Sequence, residues 1–281
     1  MRPRSLSFLA LVSLCVQSSA LPVEADGAPS GILLATTTSV RDSGLLDTLV
    51  PVFEQRSGFQ VRVVAVGTGA ALRMGREGNA DVLITHAQQG EEELVKSGAA
   101  LGRVPFMENY FVIVGPAEDP LHVAAAATPA DALRAIAAGD GPWVSRGDDS
   151  GTHRREQSLL REAGLPEDGG WQGFVRTGAG MGLSLQVAGE RRAYTLSDIG
   201  TFLAFASRTE LVALSKPAPS LRNVYAVLRI SPERFRGRVN ADGARRFAEF
   251  LLEPETRERI ATFGVERYGR ALFSPLELAS S

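Results

Sequence analysis

The feature that most constrains the fold is a regular alternation of short apolar runs with amphipathic ones between residues 31 and 97. Residues 31–35 are apolar, 59–66 alternate and are rich in valine, and 81–85 form a third apolar run; each reads as a strand. Helical segments lie between them. In the first, Leu45, Leu46, Leu49 and Phe53 share one face, and Ser57-Gly58 ends the segment. It is expected to open near Asp42 or Ser43, either of which can cap it. Pro51 falls inside the pattern and should kink or divide it. A second helix follows Gly67-Thr68-Gly69 through Leu72 and Met74, and a third covers 91–97. Strand, helix, strand, helix, strand predicts parallel strands joined by crossovers.

A second unit opens with the apolar strand 111–116. It continues through a helix at 129–138, a strand at 143–145 and a helix that turns Leu159, Leu160 and Ala163 inward. Another helix runs from Met181 to about Glu190, a strand covers 193–196, and a longer strand covers 223–230. The amphipathic helices at 241–252 and 254–263 have no neighbouring strand and should return to cover the first unit. The chain has no internal repeat of 20–50 residues, so it is not a solenoid.

The first 20 residues read as an export signal rather than fold. Arg2 and Arg4 precede the apolar run 6–16, and Gln17-Ser18-Ser19-Ala20 suits cleavage after Ala20. That run is shorter than the ~20 residues a membrane-spanning helix needs. Cys15, the one cysteine, lies inside it, so the mature chain has no disulfide, thiolate nucleophile or cysteine metal site. Val12-Ser13-Leu14-Cys15 carries leucine where a lipoprotein box wants a small residue, which disfavours lipid anchoring through Cys15. The expected product is a soluble chain outside the cytoplasm.

Charge narrows the function. Lys and Arg number 30 against 32 Asp and Glu, a net charge of −2, and loss of Arg2 and Arg4 takes it to −4. A near-neutral chain without a basic block is not a dedicated nucleic-acid binder.

The chemistry-bearing residues stand where strands become helices. Thr36, Thr37, Thr38 and Ser39 put four consecutive hydroxyls at the carboxyl edge of the first strand, where open α/β sheets bind ligands. Helix starts there expose unpaired N–H groups and the positive end of a dipole, suited to an anion. Gly67-Thr68-Gly69 repeats the arrangement after the second strand. The segment from Ser145 to Thr152 adds Arg146, which can fork two hydrogen bonds onto an anion, with donors from Ser150, the Gly151 amide and Thr152. Three such starts in one chain point to an anion clamp.

Other constellations weigh less. Asp148, Ser150 and His153 are too close in sequence for a hydrolase triad, and no Gly-x-Ser-x-Gly elbow is present. Gly178-Ala179-Gly180-Met181-Gly182 lacks the spacing of a dinucleotide loop. His86, His122 and His153 have no metal-ligand spacing and read as solvated or core histidines.

Several of these stretches together resemble the tungstate-binding proteins of ABC transporters. They are Thr36-Thr37-Thr38-Ser39-Val40-Arg41-Asp42-Ser43-Gly44-Leu45-Leu46, Val66-Gly67-Thr68-Gly69, Ala80-Asp81-Val82-Leu83 and Ser145-Arg146-Gly147-Asp148-Asp149-Ser150-Gly151-Thr152-His153, in the family's order. Gly180-Met181-Gly182, Tyr194-Thr195-Leu196, Asp198 and Gly200-Thr201 extend the resemblance across essentially the whole mature chain. Ile199 departs from it, standing where relatives often carry arginine.

The resemblance implies an α/β, two-lobed periplasmic-binding-protein-like fold, each lobe a mostly parallel sheet flanked by helices, with two chain crossovers. Lobe one would comprise 31–111 plus 225–281, and lobe two 112–224. The ligand, tungstate or molybdate, would lie between them, held by Thr36, Thr37, Thr38, Ser39 and Thr68 from one side and Arg146, Ser150, Gly151 and Thr152 from the other. A monomer would deliver this small oxyanion to a membrane permease, with no cofactor, no catalysis and no nucleic acid. Tungstate and molybdate are fully deprotonated dianions that want only donors, whereas hydrogen phosphate also wants an acceptor. Asp148 or Asp149 can be that acceptor, although capping the next helix is the simpler role for either. Molybdate, sulfate or phosphate binding, and an exported hydrolase using Ser150 and His153, are the alternatives.

Overall fold

The computed structural model describes residues 31–277, so the export segment and Cys15 lie outside the described residues. Strand β1 (Gly31–Thr37) leads into the short helix α1 (Thr38–Asp42) and then α2 (Leu45–Ser57). Strand β2 (Gln60–Val66) is followed by α3 (Thr68–Glu77), and β3 (Val82–Thr85) by α4 (Gln88–Lys96). Then come the long β4 (Ala100–Pro116), α5 (Pro129–Ala138), β5 (Trp143–Ser145), α6 (Gly151–Glu162) and β6 (Phe174–Arg176). The chain continues through α7 (Met181–Glu190), β7 (Tyr194–Asp198), α8 (Ile199–Thr209), β8 (Leu211–Ala213) and β9 (Arg222–Ile230). It closes with α9 (Ala241–Leu252), α10 (Pro254–Thr262), α11 (Val265–Tyr268) and β10 (Ser274–Pro275).

The strands order as β2-β1-β3-β9-β4-β7-β5-β6. Pairing is parallel in the two outer groups, β2-β1-β3 and β7-β5-β6, as the crossovers require. It turns antiparallel where β9 meets β3 and β4, and where β4 meets β7 and β8, so the sheet as a whole is mixed. Strand β4 serves both halves: Ala100 to Tyr110 pair with β9, and Phe111 to Val114 pair with β7. Only the second part is legible in the sequence as a strand. Gly102 and Pro105 interrupt the apolar alternation of the first, and the β4–β9 register shifts between Ala100 and Arg103 and again between Pro105 and Met107.

Four apolar clusters cover the two faces of the sheet. On the first half, α2 and α9 pack over β1 through Leu45, Leu49, Phe53, Phe247 and Leu251, while α3 and α4 cover the other face through Leu72 and Leu94. The carboxyl-terminal helices therefore return to the first half, as their unpartnered apolar faces predicted. On the second half, α5 and α6 contribute Leu133, Ile136, Leu159 and Leu160 to one face, and α7 and α8 contribute Leu185 and Phe202 to the other.

Two local expectations are corrected. Pro51 does not divide its helix: of the kink or division expected there, the division does not occur, and α2 is continuous from Leu45 to Ser57. An internal proline costs about 3 kcal/mol, but Leu45, Leu46 and Leu49 before it and Phe53 after it are all buried. Each such side chain contributes about 1.5–3 kcal/mol, and Phe53 packs edge-on against Phe247 at 5.0 Å. Neither Asp42 nor Ser43 opens the first helical segment. Thr37 caps α1, its Oγ1 accepting the Val40 N–H at 3.4 Å, and Gly44 at φ +80° turns the chain into α2.

Candidate functional site

Four strand ends meet around one small cavity. Thr37, Thr38 and Ser39 line it from the β1–α1 junction, and Val66, Gly67 and Thr68 from the β2–α3 junction. His86 enters from the end of β3. Arg146, Ser150, Gly151 and Thr152 come from the loop joining β5 to α6. The amino termini of α3 and α6 face it, bringing first-turn amides without intrahelical partners.

Eight of the nine residues singled out in the sequence line this cavity. Thr36 does not. Its Oγ1 donates to the Ile84 carbonyl across the β1–β3 pair at 2.8 Å, because alternation along the strand turns it away from Thr37. Gly151 lines the cavity, but its amide is engaged in a different way from that expected: it donates to Thr68 Oγ1 at 2.9 Å. Of the wider clefts nearby, the one beside His86 takes in Gly151 and none of the other eight residues. Another cleft, between β4, the start of α8 and residues 270–274, is lined by Ile199, which is buried there and does not reach the small cavity.

Four of the hydroxyls share a polarity. Thr68 Oγ1 accepts from the Gly151 amide, Ser150 Oγ from the His153 amide at 3.2 Å, and Thr37 Oγ1 from the Val40 amide. Thr152 Oγ1 accepts from Arg146 Nη1 at 3.5 Å. A hydroxyl that already accepts from an N–H keeps its own proton to donate. No carboxylate is among the residues lining the cavity.

Arg146 is 4% exposed and held on three sides. Its Nη2 pairs with Asp148, its Nε points to the Ala179 carbonyl at 3.4 Å, and its Nη1 meets Thr152. Asp148 also accepts the Ser150 amide at 3.2 Å, so it orients the arginine and stands outside the cavity lining. The cap of α6 is therefore neither Asp148 nor Asp149. Ser150 occupies that position at φ −72°, ψ 169°, the extended conformation a cap requires, while Asp149 pairs with Arg154 at 3.0 Å.

His86 is the site residue that sequence reasoning passed over. Its Nε2 lies 3.4 Å from Ser39 Oγ and its Nδ1 2.9 Å from Asn223 Oδ1. Desolvation pushes its pKa down to about 4, the Asn223 hydrogen bond opposes that, and Arg146 and Arg155 depress it further. The available signal was position: His86 directly follows the third strand, on the same carboxyl edge that drew attention to Thr37 and Thr68.

The hydrolase geometry is not formed. Ser150 Oγ accepts from the His153 backbone, and His153 Nδ1 accepts the Asp149 amide at 3.1 Å. Among the described residues no hydrogen bond joins Ser150 Oγ to the His153 ring, and no group of three His, Cys, Asp or Glu is placed to hold a metal ion.

The mixed sheet and enclosed donor cavity are those of a solute-binding protein, and the model of the PBP superfamily domain matches residues 22–255. The tungstate-binding protein TupA of Peptoclostridium acidaminophilum is 42% identical over 262 residues, covering 92% of this chain and 90% of that one. The solved tungstate-binding protein TupA of Desulfovibrio alaskensis G20 superposes with a TM-score of 0.78 at 38% identity, covering 89% of this chain and all of that one. The solved tungstate ABC transporter protein of Geobacter sulfurreducens gives 0.74 at 42% identity, with 82% and 97% covered. The chain belongs to the periplasmic-binding-protein superfamily and, within it, to the TupA family of tungstate-binding proteins.

Proposed function

We propose that the chain captures one fully deprotonated tetrahedral oxyanion, tungstate ahead of molybdate, and delivers it to the membrane permease of an ABC transporter. The observation that carries this reading is the polarity of the cavity: the hydroxyls of Thr37, Thr68, Ser150 and Thr152 accept from N–H groups and keep their own protons to donate, Arg146 supplies the charge, and no carboxylate lines the wall. Hydrogen phosphate would find no carboxylate acceptor for its proton there. Tungstate and molybdate are nearly the same size, and the choice of tungstate rests on what the relatives are named for binding.

In this reading the binding residues are Thr37, Thr38, Ser39, Thr68, Arg146, Ser150 and Thr152, with Gly151 permitting close approach. Residues 31–111 plus 225–281 act as one lobe and 112–224 as the other. The double use of β4 and the return of α9 to the first half support that division. The protein works as a monomer, without catalysis or nucleic acid. It acts in the periplasm after losing residues 1–20, which intact-mass measurement of exported protein tests. Among the described residues no helix is long and apolar enough to cross a membrane.

Calorimetry of the purified chain against tungstate, molybdate, sulfate and phosphate tests the function. One site per chain and preference for the first two are expected. An anion that binds only the folded state adds roughly 4 kcal/mol at a thousandfold excess over Kd, so melting should rise sharply. Neither heat nor a melting shift with tungstate and molybdate would overturn the reading.

A further inference from the structure

Besides Arg146, His86 is the titratable group lining the cavity, and its surroundings dictate where its proton sits. Asn223, 2% exposed, donates through Nδ2 to Asn109 Oδ1 and Tyr225 Oη, both at 2.8 Å. Its Oδ1 is thereby turned to His86 Nδ1, which must carry the proton in the neutral ring. Nε2 then presents a lone pair to Ser39 Oγ at 3.4 Å, and Ser39 Oγ lies 3.0 Å from Thr37 Oγ1.

Ser39 has one hydroxyl proton. Directed to Nε2, it satisfies the imidazole and is lost to the cavity. Directed to an anion, it leaves a buried lone pair without a donor beside negative charge, an unfavourable arrangement. Protonation of Nε2 removes the conflict: Nε2–H donates to Ser39 Oγ, whose own proton turns to the anion. We propose that His86 is a binding residue of the site, and that capture of a dianion takes up a proton from solvent at His86 Nε2.

The groups around the ring agree with a change of state on binding. Arg146 from the loop after β5 and Arg155 from α6 act on it electrostatically. Arg154 lines the neighbouring cleft with His86 but is paired to Asp149. The Tyr225 ring of β9 lies 4.9 Å away and the Phe111 ring of β4 6.4 Å away, and burial holds the Tyr225 hydroxyl in its neutral form. Without an anion, burial and the arginines keep the imidazole neutral at pH 6–7, its pKa lying at about 4. A dianion reverses the dominant field and raises that pKa. Proton uptake occurs where the pH lies between the free and bound values. Affinity therefore rises as pH falls through the bound pKa and levels off below the free one.

This inference rests on the anion-binding reading, and one experiment separates their failures. Tungstate is titrated into the full exported chain at pH 6, 7 and 8, in pairs of buffers of different ionisation enthalpy. Proton uptake is expected to grow from pH 8 to pH 6, with affinity rising by up to about tenfold per pH unit where a whole proton is taken up. Tungstate bound without proton uptake overturns the inference and leaves the function standing, whereas no binding overturns both. His86→Gln keeps an amide donor for Ser39 and should bind without uptake; retained uptake places the proton elsewhere. Asn223→Asp should raise the ring's pKa in the free protein and diminish uptake at pH 6. Nitrogen NMR of the free chain should show neutral His86 protonated at Nδ1, and a neutral Nε2–H ring would overturn the proposal without any variant.

Discussion

The amide of Gly151, the first residue of α6, donates to Thr68 Oγ1, the first residue of α3, at 2.9 Å. Two helix starts 83 residues apart in sequence are thus joined across the cavity by one hydrogen bond. It leaves the Thr68 proton free to donate inward, and it needs the backbone of α6 to come close to His86.

Glycine at 151 makes that approach possible. A Cβ there would lie 2.5 Å from His86 Cε1. Gly151→Ala is expected to fold, as judged by circular dichroism, and to bind tungstate more weakly. Overpacking of this kind costs about 1–3 kcal/mol, or roughly 5- to 150-fold in Kd. Calorimetric affinity equal to wild type would show that α6 need not approach His86 this closely when the anion is bound.

Arg146 should be the most sensitive position in the clamp. Losing one neutral hydroxyl, as in Thr68→Val, should cost about 0.5–1.5 kcal/mol. Arg146→Ala removes the cation from the cavity and strands Asp148 beside it, which should cost roughly 2–5 kcal/mol of binding. Lysine keeps the charge without the planar fork and should recover only part. Because Asp148 pairs with Arg146, Asp148→Asn placed on top of Arg146→Ala should restore some of the lost affinity. Binding by Arg146→Ala within threefold of wild type would remove Arg146 from the site.

Glu156, on the buried face of α6, gives the fold a pH dependence. It is 1% exposed and accepts from Trp143 Nε1 at 3.2 Å. Burial pushes its pKa up to about 7 from 4.5, against the pull of its hydrogen bonds. The folded state then binds more protons than the unfolded state between those values, so stability is full at lower pH and falls as pH rises through this window. Glu156→Gln keeps an acceptor for Trp143 and should flatten the dependence, with a gain at pH 8 of at most about 3 kcal/mol. Urea unfolding at pH 5 and pH 8 reads this out, and an unchanged slope in the variant would assign the dependence to other groups.

The cleft should close on its ligand. Thr37, Ser39 and Thr68 come from one side and Arg146, Ser150 and Thr152 from the other, so an anion contacts the full donor set only when the sides meet. Small-angle scattering of the chain is expected to give a smaller radius of gyration with tungstate than without. Identical profiles would mean that the closed arrangement persists in the absence of ligand.

Much of the site was legible because its parts are local. Thr37, Thr68 and Ser150 sit where a strand hands over to a helix, a position visible in composition and periodicity alone, and Arg146 stands four residues before such a start. The misses have physical causes. Thr36 looked equivalent to Thr37, yet one step along a strand reverses the side chain. Asp42, Asp148 and Asp149 looked like caps, yet Thr37 and Ser150 had the extended backbone next to the first helical amides. Pro51 looked like a break, yet Phe53 and Phe247 held the helix together from outside it.

What the sequence determined by itself was therefore the alternation of strands and helices in the first half and part of it in the second, where α8, β6 and β8 went unread, together with the anion-seeking character of the junctions and the kinship with tungstate-binding proteins, since each depends on neighbouring residues or contiguous motifs. Only the tertiary structure decided that these junctions share one cavity, that Gly151 answers Thr68, that Asp148 holds Arg146 and stands outside the cavity lining, and that His86 completes the wall. Those relations depend on sheet order and register. The pairing of β4 with both β9 and β7 joins the two strand groups in one sheet, and the pairing of β3 with β9 brings together residues more than a hundred positions apart, such as His86 and Asn223, whose side chains carry no local mark of the encounter.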